Sequence, residues 1–215
     1  MIYLCAGLFA EGRTDYELLL PLITRVLDDI GARVCPGAYD VAATVGIDTH
    51  AGPREPRAAR IASAIADYWD QCTLFVVHAD SDGDADRANA ERVEPGLRAA
   101  RAAAPDSLAG TACIPVRQTE AWMLVDPGVF AELGARDMKL PEDPEQDLDP
   151  KATLDRLLRE AHIRSPRSRL YSFFGERLSL ARLRTLSAFS SFERDLVGAV
   201  LELARPRGEL GGVTD

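Results

Sequence analysis

The segment Thr73–Asp84, TLFVVHADSDGD, limits the fold more than any other part of the chain. Thr73–His78 is mostly apolar and β-branched with no polar alternation, the pattern of a strand covered on both faces in a parallel sheet. It runs directly into aspartates at i, i+2 and i+4: Asp80, Asp82 and Asp84. A strand that ends in carboxylates delivers them to the carboxyl edge of its sheet, where open α/β folds hold their ligands. Two carboxylates about 4 Å apart repel by roughly 4 kcal/mol at an effective dielectric near 20. An edge that concentrates several of them calls for a cation or strong solvation. Mg²⁺, a hard ion that prefers oxygen ligands, is the first candidate, with Mn²⁺ beside it.

Two plainer readings compete. A short Asp/Gly-rich run after a strand is often a solvated loop, and spacing alone does not separate the two. Asp80, Asp82, Asp84 and Glu91 also fall at positions 1, 3, 5 and 12 of a calcium-loop template. That template wants Gly at its sixth position, where Ala85 stands, and it follows a helix rather than a strand.

The remaining pattern alternates strands with helices. Ile2–Leu8 is a short apolar strand, broken by Ala10-Glu11-Gly12-Arg13-Thr14-Asp15. Thr14 and Glu17 form a capping box for a helix whose Leu19, Leu22, Ile23, Val26, Leu27 and Ile30 share one face. Pro21 predicts a kink or a late start, and Gly31 an end. Tyr39–Val45 reads as a second strand, followed by a loop over Gly46–Pro56. A helix with Ile61, Ile65, Tyr68 and Trp69 inward comes next. An Ala/Arg-rich helix over about Ala85–Ala104 follows the central strand, and Thr111–Val116 is a further strand that Pro115 places at an edge or an end. Glu11 and Glu120 thus each lie just past a strand, at the same edge as Asp80, although Thr119-Glu120 equally fits a helix start. The expected fold is α/β, a parallel doubly wound sheet flanked by helices. Residues 1–126 form this domain, 127–207 a helical extension packed on it, and 208–215 a flexible tail. In the extension, Asp137–Pro150 is an acidic loop, Asp149-Pro150 starts a helix with Leu154, Leu157 and Leu158 inward, and Ser190 and Glu193 cap the last helix.

Composition excludes several classes. The 215 residues suffice for one α/β domain. No apolar run approaches the length of a membrane span, and the N-terminus lacks the basic region and cleavage site of a signal peptide. Cys5, Cys35, Cys72 and Cys113 show no metal-ligand spacing and are expected as free thiols in a reducing cytoplasm. His50, His78 and His162 are scattered, which argues against a zinc enzyme. The net charge of −9 argues against tight unaided binding of nucleic acid. It is unevenly spread: an acidic run from Asp137 to Asp149 precedes a basic run containing Arg164, Arg167, Arg169, Arg177, Arg182 and Arg184. Arginine forks suit phosphates, while arginine preference can equally reflect genome composition.

Glu11-Gly12-x-Thr14-Asp15 after the first strand, with Asp80-x-Asp82 after a later one, resembles the Toprim domain over about residues 1–125. That domain is shared by topoisomerases, bacterial primases and the nuclease half of the overcoming-lysogenisation-defect proteins. Gln118-Thr119-Glu120-Ala121-Trp122 and Asp149-Pro150-Lys151 extend the likeness, over nearly the whole chain, to stand-alone bacterial Toprim-like proteins of uncharacterised function. The resemblance implies that Glu11, Asp80 and Asp82 bind Mg²⁺ or Mn²⁺, with Glu11 also a candidate general base. Asp84 and Glu120 would complete a second metal site. Lys151 or Arg117 would neutralise the phosphoryl charge; otherwise Lys151 is a solvated residue at the second helical position. Arg13, Arg117, Arg164, Arg167 and Arg169 are the candidate nucleic-acid contacts.

The chain has no room for a topoisomerase tyrosine domain or a primase template domain, and it lacks G-x-x-x-x-G-K-[ST]. The resemblance therefore implies a nuclease acting on DNA or RNA, working with a separately encoded ATPase in phage defence, as a monomer or a homodimer. Two alternatives stay open. One is a haloacid-dehalogenase-like phosphohydrolase with Asp80 as nucleophile and Asp82 as acid, a template that wants Thr or Val at Asp84 and leaves Glu11 idle. The other is a non-catalytic metal-binding module that docks an ATPase.

Overall fold

The computed structural model describes residues 1–47, 55–104 and 107–205. Its strands are β1 Ile2–Leu4, β2 Ala6–Phe9, β3 Tyr39–Val41, β4 Val45–Gly46, β5 Leu74–His78 and β6 Gly110–Cys113. The helices are α1 Arg13–Val34, α2 Arg57–Asp67, α3 Ala85–Ala88, α4 Glu94–Ala103, α5 Glu120–Met123, α6 Pro127–Glu132, α7 Pro150–Glu160, α8 Arg167–Arg177, α9 Leu180–Leu183 and α10 Ser187–Ala204. A π-helical turn, Asn89–Val93, joins α3 to α4.

Four strands lie in the order β4-β2-β5-β6 and β1 pairs with β3, every pairing parallel. The first two predicted strands are each divided in two. Between β1 and β2, the Cys5 N–H donates to Thr73 Oγ1 at 2.9 Å instead of a ladder carbonyl. The chain leaves β2 through α1 to one side of the sheet, then crosses through α2 to β5 on the other. Ligand crevices of open sheets form at such a switch point, here between β2 and β5.

Period-two alternation sorts the strand side chains onto two cores. Ala6, Leu8, Leu74 and Val76 pack with α1, α8 and α10. Cys5, Phe9, Phe75 and Val77 face the other way, with Ile61 and Ile65 of α2 and Leu97 of α4. The C-terminal helices are thus half of the wrapping of the sheet, and Phe174, Phe189 and Leu196 share a core with Leu8 and Val76. No helix among the described residues is long and apolar enough to cross a membrane. Cys5, Cys72 and Cys113 are buried free thiols, as expected, and Cys35 is free and half-buried.

Local chemistry departs from expectation at three helix ends: the starts of α1 and α10, and the end of α1, which runs past Gly31 to Val34. α1 begins at Arg13, not with a Thr14–Glu17 box: the Gly12 N–H donates to Asp15 Oδ2 at 3.0 Å. Glu17 instead accepts from Ser172 Oγ of α8 at 3.1 Å. α1 also continues through Pro21. There α8 approaches so closely that a Cβ on Gly175 would stand 2.2 Å from the Leu18 carbonyl oxygen and 2.7 Å from Pro21 Cγ. Arg25 donates to the Gly175 and Leu178 carbonyls at 2.9 and 2.8 Å, covering the orphan end of α8. α10 starts at Ser187 rather than near Ser190. Its cap is the Glu145 carboxylate from the acidic loop, accepting from Ser187 N–H, Ser187 Oγ and Ala188 N–H at 2.8, 2.6 and 2.9 Å. Glu193 lies inside α10 and pairs with Arg33 and Arg184. Asp149 caps α7 as predicted, accepting from Ala152 N–H at 2.9 Å. The proposed tail, 208–215, lies outside the described residues.

Candidate metal centre

His78 ends β5 two residues beyond Val76, so it continues the face that looks toward α1. Asp15 sits in the first turn of α1, one turn before the buried Leu18 and Leu19, and enters the same space. Asp80, two residues past His78, closes the group. One ligand atom from each of Asp15, His78 and Asp80 lies within 4.8 Å of the other two, and the three could hold a metal ion. His78 Nε2 is 3.4 Å from Asp80 Oδ1, and His78 Nδ1 is 4.0 Å from Asp15 Oδ2.

Burial makes this group unusual. The His78 side chain is fully buried, yet neither ring nitrogen makes a hydrogen bond, and buried Asp80 Oδ1 has none either. Buried polar atoms without partners are rare in folded proteins and point to a bound water, an ion or a catalytic role. A divalent cation would take up these lone pairs together. Asp15 is oriented for it: Oδ2 accepts from Gly12 N–H and Oδ1 accepts from Thr119 Oγ1 at 3.0 Å. Thr119 stands at the start of α5 as predicted, but its hydroxyl holds Asp15 instead of capping the helix.

The other anticipated ligands lie elsewhere. Glu11 follows Phe9 on the opposite face and pairs with two arginines. Arg57 Nη1 is 2.8 Å from Glu11 Oε1, and Arg92 Nη2 binds both carboxylate oxygens. Asp82 is 78% exposed, adopts a left-handed backbone (φ 53°), and stands 3.9 Å from Arg92 Nη1. Asp84 caps α3, accepting from Arg87 N–H at 2.9 Å. Glu120 is buried on the α1 side, where it accepts from Tyr171 Oη at 2.8 Å, with Lys151 Nζ 4.0 Å away. Burial raises the Glu120 pKa above the ordinary carboxylate range, and the Tyr171 hydrogen bond only partly offsets this.

The candidate phosphate and nucleic-acid contacts also separate. The guanidinium of Arg117 packs over Gly83, with a buried Nε that has no partner. Arg13 is exposed and loosely paired with Glu17 at 3.6 Å. Arg167 binds Asp155 at 2.6 Å, and Arg164 and Arg169 are exposed around the start of α8. Tyr171, one turn along α8, carries this basic end toward Glu120.

Asp15 and His78 are the site residues that the sequence reading did not single out as ligands. Both signals were present. Extending the apolar stripe of α1 back by one turn reaches Asp15, and extending the alternation of β5 past Val76 reaches His78. The same alternation carried past Phe9 would have put Glu11 on the other face. Compared with known proteins, the chain matches no family model, no curated protein and no solved structure.

Proposed function

We propose that the protein is a Toprim-type, divalent-metal-dependent nuclease that hydrolyses phosphodiester bonds of DNA or RNA. The observation that carries this reading is the Asp15–His78–Asp80 group, with its buried unpartnered atoms, at the switch point of the sheet. Two carboxylates suit Mg²⁺ or Mn²⁺, and the imidazole between them moves the preference toward Mn²⁺. Bound there, the ion supplies Lewis-acid stabilisation of charge on the phosphoryl oxygens. Thr119 and the Gly12 N–H hold Asp15 in one orientation, so the ligand set is preorganised. Arg92 donates to the Asp80 carbonyl at 2.6 Å and fixes the loop that carries that ligand. Glu11 stands at the same edge, as the general base or added ligand that the Toprim resemblance implies. Lys151 lies beside Glu120, on the α1 side of the site.

The acidic balance of the chain supports action with a separately encoded ATPase that supplies the grip on nucleic acid, as in phage defence. Four unpaired thiols fit a reducing cytoplasm. The test is cleavage of labelled single- and double-stranded DNA and RNA with Mg²⁺ or Mn²⁺, beside Asp80→Asn. Metal-dependent cutting that the variant loses is the expected result. Cutting that the folded variant retains overturns the reading, and a trapped aspartyl-phosphate at Asp80 would replace it with the phosphohydrolase.

A further inference from the structure

Arg57 and Arg92 meet at the carboxyl edge on the α2 side, and their guanidinium planes are held by backbone carbonyls. Arg57 Nε donates to the Arg92 carbonyl at 2.8 Å and Nη2 to the His78 carbonyl at 2.7 Å. Arg92 Nη1 donates to the Asp80 carbonyl at 2.6 Å. The π-helical turn aims Arg92 at this point, and such turns recur at functional sites. None of these carbonyl bonds needs Glu11. Each arginine gives a further nitrogen to it, Arg57 Nη1 and Arg92 Nη2.

Among the described residues, guanidiniums outnumber the carboxylates paired with them at this point. Arg60 stands beside the pair, its guanidinium over the Phe9 ring at 5.9 Å, as Arg57 lies over the same ring at 5.5 Å. Among the described residues Arg60 forms no ion pair, and its Nε is buried without a partner. Burial lowers the Arg57 pKa, Glu11 opposes this, and Arg92 and Arg60 add to it. Arg57 and Arg92 thus share Glu11, with Arg60 beside them, and among the described residues the further acid paired here is the exposed Asp82, 3.9 Å from Arg92. Fixed, partly desolvated guanidinium forks that outnumber their carboxylates are suited to a phosphate oxyanion.

We propose that Arg57 and Arg92, with Arg60 beside them, form a phosphate-binding site, and that Glu11 fills it in the resting chain as a displaceable internal anion. Phosphate entering the forks frees Glu11, one guanidinium's width from the Asp80 backbone, to turn toward the metal centre. Anion binding stands independently of the nuclease; the release of Glu11 for cleavage rests on that reading. Glu11 thus has two positions, and substrate selects between them.

The experiment is calorimetric titration of the full chain, free of metal, with inorganic phosphate and separately with a thymidine dinucleotide carrying one phosphodiester. Glu11→Gln removes the competing charge and is expected to tighten phosphate binding about tenfold over the native chain. Adding Arg92→Gln to it is expected to abolish that gain, and adding Arg60→Gln, whose side chain makes no backbone bond among the described residues, to reduce it. A folded Glu11→Gln chain that binds phosphate no tighter than the native one overturns the proposal. An Arg60/Glu11 double variant that keeps the full gain removes Arg60 from the site and overturns the three-arginine form. Binding of both ligands supports the site and its role toward substrate. Binding of inorganic phosphate without the dinucleotide leaves the anion site standing and overturns its part in phosphodiester cleavage.

Discussion

The carboxyl edge between β2 and β5 has two faces, both lined by ionisable side chains, in opposite states of satisfaction. On the α1 side, beside the hydrogen-bonded Asp15, His78 and Asp80 keep buried atoms without partners. On the α2 side, Arg57, Arg92 and Glu11 use their polar atoms on one another and on the His78, Asp80 and Arg92 carbonyls. The first face holds unsatisfied lone pairs that an ion could fill. The second fixes the strand end that presents them. Substitutions should therefore separate activity from stability across the thickness of one sheet.

The largest effect is expected from Asp80→Asn. Loss of a ligand should lower metal-dependent cleavage by more than about 100-fold, since even supporting residues of metal sites cost 10–100-fold. Its melting temperature without metal should hold or rise, because Asp80 Oδ1 is buried without a partner and an amide oxygen costs less to leave there than a carboxylate oxygen. A loss of both activity and fold would break the contrast. His78→Gln should weaken Mn²⁺ binding by about 10–100-fold and Mg²⁺ binding less, because only the imidazole distinguishes the two ions. Equal losses, measured by calorimetry, would take His78 out of the ligand set.

On the second face the consequence moves to stability. Arg57→Gln leaves the His78 and Arg92 carbonyls without their donors and should cost about 1–3 kcal/mol in urea unfolding. An unchanged midpoint would show that water replaces the guanidinium there. The smallest expected effect is a pH dependence at Glu120. Its folded pKa is raised, so between the ordinary glutamate range and that raised value the folded chain binds more protons than the unfolded one. Stability contributed by this group is full below the ordinary range and falls as pH rises through the folded pKa. Glu120→Gln, which can still accept from Tyr171, should leave stability near pH 4 unchanged and raise it near pH 8. Equal unfolding midpoints of the two chains at pH 8 would show that Lys151 and Tyr171 already compensate the buried charge.

Much of the architecture was legible in order. The apolar runs named every strand, although Cys5 and the turn after Val41 divide two of them. The Ala85–Ala104 helix was placed within a residue of its ends, but nothing in its composition announced the π-helical turn that aims Arg92. Capping went astray where the partner is distant: Glu145 reaches the start of α10 from a loop some forty residues earlier. Local spacing offered Ser190 and Glu193 instead, because a local pattern cannot weigh a remote carboxylate.

The sequence by itself determined an α/β chain whose strands end in acids at one edge, because uninterrupted apolar runs must be covered on both faces and leave their polar ends outside. Only the tertiary structure decided which acids meet. Strand parity turns Glu11 toward Arg57 and Arg92 and turns His78 and Asp80 toward Asp15, brought there by the first turn of α1. Asp15 and His78, more than sixty residues apart, come together only once the sheet is wound, and the sheet then separates side chains that linear order places side by side.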